Sequence, residues 1–198
     1  MSAPQYFFGE LIYFEAIVRF LFSHIATWLF FMALLFNFVR TSISHSSKKE
    51  KQKTSNTFIL SLVMFISYVS AIPIDYLFRL TEATSLFYPK TFYLVLDLVT
   101  IWILFHFFRM NSCVGKICKR YLLIALSANS LLFFLAQLDL FLMYEGYKEL
   151  KPWWFWSLFT VGINTFDLIM VLVLVIQKDF LGWNKLAEKV KGANRALN

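Results

Sequence analysis

The chain has 198 residues, of which 59% are hydrophobic and 20% aromatic, with a mean hydropathy of +0.63. A soluble domain carries about 45–50% apolar residues, so this composition excludes an ordinary water-soluble globule and points to an integral membrane protein. The net charge of +7 is gathered between apolar runs and in the C-terminal tail, which argues against direct nucleic-acid binding and makes anionic lipid its natural counterpart.

The apolar runs predict spans at about 20–39, 57–80, 87–109, 121–143 and 153–177, each near the ~20 residues that cross ~30 Å of hydrocarbon. Continuous runs of this length satisfy their backbone groups as helices, and the ten-residue alternation of a barrel strand is absent. The expected fold is an all-α integral membrane protein, a bundle of about five transmembrane helices with four as the lower count. Residues 1–180 form one membrane domain and 181–198 a basic tail. As a single straight helix, residues 7–39 would run about 50 Å at 1.5 Å per residue. The stretch holding Glu10, Glu15 and Arg19 is therefore expected along the interface rather than within the span.

Loop charge sets the orientation. Arg40 with Lys48, Lys49, Lys51 and Lys53 marks one side, as do Arg109, Lys116, Lys119 and Arg120, and the tail from Lys178. By the positive-inside rule that side is cytoplasmic, giving N-out and C-in across a bacterial inner membrane. The loop from Arg40 to Ser55, rich in Ser and Lys, reads as a flexible connection without an apolar stripe. Cys113 and Cys118 fall in the second basic loop and have neither disulfide-framework nor metal spacing.

Acids inside the spans are the informative exceptions. An Asp at mid-span costs roughly 2.5–3.5 kcal/mol on insertion scales, so such residues are expected to face protein, water or cations. Asp75 pairs with Arg79 at i, i+4, and Asp139, two residues after Gln137, lies near a helix end where it can reach headgroups. Asp97 and Asp167 lie deeper. Asp167 has only Asn164 nearby on its own helix, and Asp97 has no base within one turn. Their partners must come from other helices, with Arg19, His24, Arg79, Lys90 and His106 as the candidates. Two roles stay open for these acids: interhelical bonds that fix packing, or a water-filled cation or proton pathway in which His106 continues the line from Asp97.

No HExxH, GxSxG or P-loop occurs, and His24, His45 and His106 fall on different elements. No catalytic residue, metal site or cofactor is expected, and the chain reads as a non-enzyme. In the tail, Phe180, Trp183, Leu186 and Val190 recur at helical spacing among Lys185, Lys189 and Lys191, which predicts an amphipathic interfacial helix. It would bind anionic lipid at the cytoplasmic face or dock a cytoplasmic effector protein.

In size, span pattern and lack of enzymatic motifs the chain resembles the small polytopic membrane subunits of bacterial anti-phage systems, of the KwaA type in Kiwa. The resemblance covers the whole chain as layout and transfers no functional residue. It implies membrane surveillance together with a separate cytoplasmic effector, and beside it the residues read as a non-enzymatic homo-oligomeric membrane sensor, scaffold or gated pore that presents a basic face to such an effector. The alternative from the acids alone is a cation or proton channel or transporter.

Overall fold

The computed structural model describes residues 24–43, 48–80, 87–110, 112–143 and 154–182. Among them the chain forms α1 (Ile25–Ile43), α2 (Lys48–Leu80), α3 (Phe87–His106), α4 (Cys113–Met143) and α5 (Trp154–Ile176), and no strand. Among the described residues four segments are long and apolar enough to cross a membrane: Ile25–Ile43, Gln52–Ile74, Cys113–Asp139 and Phe155–Ile176. The fifth predicted span is the helix α3, 20 residues long, with Lys90 near its start and Asp97 near its middle.

The helix ends depart from the sequence expectation in ways with local causes. The basic segment from Arg40 to Ser55 is largely helical: α1 continues to Ile43 and α2 begins at Lys48. Lys, Glu and Gln are strong helix formers, and charge alone does not make a loop. Thr41 Oγ1 and Ser42 Oγ donate back to the Asn37 and Phe38 carbonyls, and Thr57 Oγ1 to that of Lys53, so these hydroxyls bond within their own helices.

The second basic loop also turns helical, at Cys113. Ser112 is the N-cap, its Oγ accepting the Gly115 N–H at 3.0 Å and the Asn56 Nδ2 at 3.0 Å, so one hydroxyl both starts α4 and fastens it to α2. Gly115 permits this approach, since a Cβ there would lie 2.8 Å from Ser112 Oγ. Ser112→Ala is expected to cost about 1 kcal/mol, a fall of about 2–4 °C in a circular-dichroism melt in detergent. An unchanged melt would mean that the cap does not hold this end. Cys113 is exposed, and Cys118 is buried with its thiol directed to the Val173 carbonyl; both are free.

At the other end of the chain, α5 stops because Gln177 turns left-handed, with φ 58°. The described residues after it, 178–182, lie against α4, and the rest of the segment predicted as an amphipathic helix lies outside the described residues. Tyr121 donates to Asp179 and accepts from the Leu181 N–H at 2.8 Å, and the Phe180 ring lies 5.4 Å from that of Tyr121. Phe180 is thus part of a turn against α4. Trp183, Lys185, Leu186, Lys189, Val190 and Lys191 lie outside the described residues, as do Glu10, Glu15 and Arg19.

In the bundle α1 packs against α2 and α5, α4 lies between α3 and α5, and α2 touches every other helix. Apolar side chains face outward as well as inward, and several polar ones are buried. Trp28, Met32 and Phe36 of α1 and Leu98, Trp102 and Phe105 of α3 are exposed, whereas Asn37, Ser61, Asp97, Asn129, Asp167 and Gln177 are buried. Apolar surface turned outward is stable against lipid, and the inward polar groups find their partners between helices.

Three levels stack along the bundle. At the end marked by Gln177, Asn37 Nδ2 contacts Ser61 Oγ at 2.7 Å and the Leu174 carbonyl at 3.1 Å, while Gln177 Nε2 donates to Asn37 Oδ1 at 2.9 Å. This clasp ties α1, α2 and α5. A fully buried apolar layer follows, with Phe30 from α1, Leu60 and Met64 from α2, Leu104 from α3, Leu122 and Leu126 from α4, and Met170 and Leu174 from α5. Beyond it, toward His24, lies the third level.

Candidate functional site

The third level is a cavity of about 300 Å³ to which all five helices contribute. Thr27 comes from the first turn of α1, Tyr68 from α2, Asp97 from α3, Asn129 from α4 and Asp167 from α5. The two acids left without a partner by the sequence therefore share one space. Asp97 is 6% and Asp167 7% exposed.

Their surroundings differ. Asp167 Oδ1 accepts the Tyr68 hydroxyl at 2.5 Å and Asn129 Nδ2 at 2.9 Å, two donors from two other helices. Asp97 Oδ2 is buried and makes no hydrogen bond, and Asn129 Oδ1 and Ser130 Oγ are in the same position. One turn from Asp97, Thr100 Oγ1 meets Ser67 Oγ at 2.7 Å and donates to the Leu96 carbonyl, so the hydroxyls beside Asp97 are engaged elsewhere.

Of the expected partners whose side chains are described, His24 lines the cavity and Lys90 and His106 do not; Arg19 and the Arg79 side chain lie outside the described residues. Lys90 Nζ sits 3.3 Å from the centroid of the Trp156 ring, a cation–π contact, and feels the field of Asp139. Asp139 is near the end of α4, and its neighbour Gln137 donates to Thr91 Oγ1 at 2.7 Å. His106 is exposed, its Nδ1 3.1 Å from the Trp102 carbonyl and its ring 5.3 Å from the Trp102 ring. It does not line the cavity, so the expected line from Asp97 to His106 is not formed. Asn164 lines the cavity with Asp167 but spends its amide donor on the Thr160 carbonyl at 2.8 Å. Asp75 and Arg79 lie on α2 as one continuous helix, but their side chains are outside the described set.

The most connected polar residues of the core, Asn37, Tyr68, Asn129 and Gln177, were not singled out from the sequence. A usable signal was present: Asn37 and Asn129 each interrupt an apolar run, and an amide in a lipid-length helix needs a partner on another helix as an acid does.

Among the described residues no group of three or more His, Cys, Asp or Glu side chains is arranged to hold a metal ion. The site's chemistry is that of an acceptor-rich pocket: two carboxylates, an amide oxygen and aromatic walls, sealed by apolar side chains on the Gln177 side. Compared with protein-family models, with characterised proteins and with solved structures, the chain matches none.

Proposed function

We propose that the chain is a non-enzymatic, self-associating membrane protein that acts as a sensor or scaffold and presents its basic face to a cytoplasmic effector. In this reading α3 crosses together with the other four helices, the His24 end faces outward, and the basic ends of α1, α2 and α4 and the tail lie in the cytoplasm, where they also meet anionic lipid. The layout shared with small membrane subunits of anti-phage systems makes a bacterial inner membrane and phage defence the setting to test.

The observation that carries this reading is the apolar layer between the two polar levels. From Asp167 to Gln177 is ten residues, about 15 Å along α5 at 1.5 Å per residue, and Met170, Val173 and Leu174 fill the interval at 0% exposure. The polar groups on either side do not form a file along which an ion could move. Within one copy the bundle is a plugged vessel rather than a tube. Exposed Thr160 and Thr165 on α5 return their hydrogen bonds to their own helix, and polar side chains on an outward face favour contact with another copy over lipid.

The second reading, cation or proton translocation, draws on the meeting of Asp97 and Asp167 at one cavity. Flux through the purified protein in liposomes separates the two. The scaffold reading expects no ion or proton flux above empty vesicles, together with cross-linked oligomers and a cytoplasmic partner whose capture is lost on deleting residues 181–198. Flux that Asp97→Asn or Asp167→Asn abolishes without loss of assembly would replace it with the translocator.

A further inference from the structure

We propose that the cavity at the His24 end binds an organic ammonium group, with Asp97 as its counter-ion. The inference goes beyond the scaffold reading and is independent of it, because binding can be measured on the purified chain with no effector present.

The first support is the pattern of unfilled hydrogen-bonding capacity. Asp97 is 6% and Asn129 1% exposed, both line the cavity, and on these two residues the buried atoms that lack a partner, Asp97 Oδ2 and Asn129 Oδ1, are acceptors. A buried acceptor left alone costs about 1–3 kcal/mol, so two beside one space call for an occupant that donates. Several donors near them are already spent: Tyr68 and Asn129 Nδ2 on Asp167, and Asn164 Nδ2 on the Thr160 carbonyl.

The second support is size. About 300 Å³ is at the lower end of small-molecule pockets and some ten times the ~30 Å³ share of one water. A bare metal ion would rattle in it, and the described residues do not converge three ligating side chains. A compact amine fits.

The third support is the aromatic part of the lining. The rings of Tyr93 and Phe133 lie 5.7 Å apart and those of Phe133 and Phe159 5.4 Å apart, a continuous aromatic surface that lines the cavity. Aromatic faces attract alkylammonium groups that keep carbon around the charge, and they do so most strongly where water is excluded. An acid, an amide oxygen and an aromatic wall select an ammonium head with a small carbon skeleton. Such a head can arrive as a free amine or as the amine of a lipid headgroup.

The test uses the full chain. In detergent, calorimetric titration and thermal unfolding are followed with ethylammonium, tetramethylammonium and sodium chloride at equal ionic strength. In nanodiscs, unfolding is compared between ethanolamine lipid and lipid with a glycerol headgroup only. The expected result is saturable stabilisation by an amine, free or lipid-borne, that sodium does not reproduce. Asp97→Asn should weaken it at least about 30-fold, the scale of removing one partner of a buried charge pair. Phe133→Leu should weaken ethylammonium several-fold without altering the response to sodium, and serves as the second variant if Asp97→Asn does not fold. A response confined to the free amines or to ethanolamine lipid supports the site and identifies its source. Equal responses to sodium and amines, or no response in either arm, overturns it.

Discussion

Asn37→Ala is expected to destabilise the bundle by about 2–4 kcal/mol, a large loss for a residue whose side chain is far from the cavity. Asn37 is 1% exposed and joins three segments: Ser61 on α2, the Leu174 carbonyl on α5, and Gln177 just beyond α5. Interhelical hydrogen bonds in membranes average about 0.6 kcal/mol and reach about 1.7, so three such links account for about 2 kcal/mol. The remainder comes from Gln177. Its Oε1 is already buried without a partner, and the substitution would strip its Nε2 as well. Leaving a buried donor unsatisfied costs about 1–3 kcal/mol. The left-handed backbone at Gln177 adds strain that the clasp offsets. Asn37→Asp should be at least as harmful, because it places acceptor oxygens against the Leu174 and Ala33 carbonyls. Thermal or denaturant unfolding in detergent reads the effect, with the exposed Ser42→Ala as a control expected to change little. A loss below about 1 kcal/mol would show that the clasp does not hold α1, α2 and α5 together.

The all-helical fold and the approximate positions of the apolar runs were legible because lipid imposes a length and a polarity that hydropathy reads directly. What failed was the treatment of charge as a loop signal. Lys48 to Lys53 begin α2, and Cys113 to Arg120 form the first turns of α4, because basic residues at the end of a long helix can extend it beyond its apolar part. The site was half legible. Insertion cost marked four acids, depth and neighbours set Asp97 and Asp167 apart from the other two, and both of these line the cavity. Their neighbours were not readable from spacing, since Asp167 is held by Tyr68, 99 positions earlier, and by Asn129, 38 positions earlier. Pairing across helices depends on rotation and register, to which a sequence of near-uniform apolar residues gives little clue. Lys90 and His106, plausible partners by depth, turn to Trp156 and Trp102 instead, where their apolar stems and rings find aromatic surface.

The two buried acids should respond to removal with opposite signs, which is the sharpest test of their different roles. Asp167→Ala is expected to cost about 2–4 kcal/mol, since it strands the Tyr68 hydroxyl and the Asn129 amide, each buried donor contributing about 1–3 kcal/mol. Asp167→Asn retains an oxygen in the same place to accept from both groups and should cost closer to 1 kcal/mol. Asp97 has no bond to lose at Oδ2, and the adjoining cavity of about 300 Å³ leaves room for a larger side chain. Asp97→Leu removes an unsatisfied acceptor and adds apolar contact, so it should stabilise the protein by about 1–2 kcal/mol. A residue whose removal strengthens the fold is retained for something other than the fold. The check is unfolding in detergent of the three variants side by side. Equal losses from Asp97→Leu and Asp167→Ala would make both acids structural and leave the cavity without a ligand-facing group. A gain from Asp97→Leu beside a loss from Asp167→Ala separates them into a counter-ion held ready for an occupant and a bolt through α2, α4 and α5.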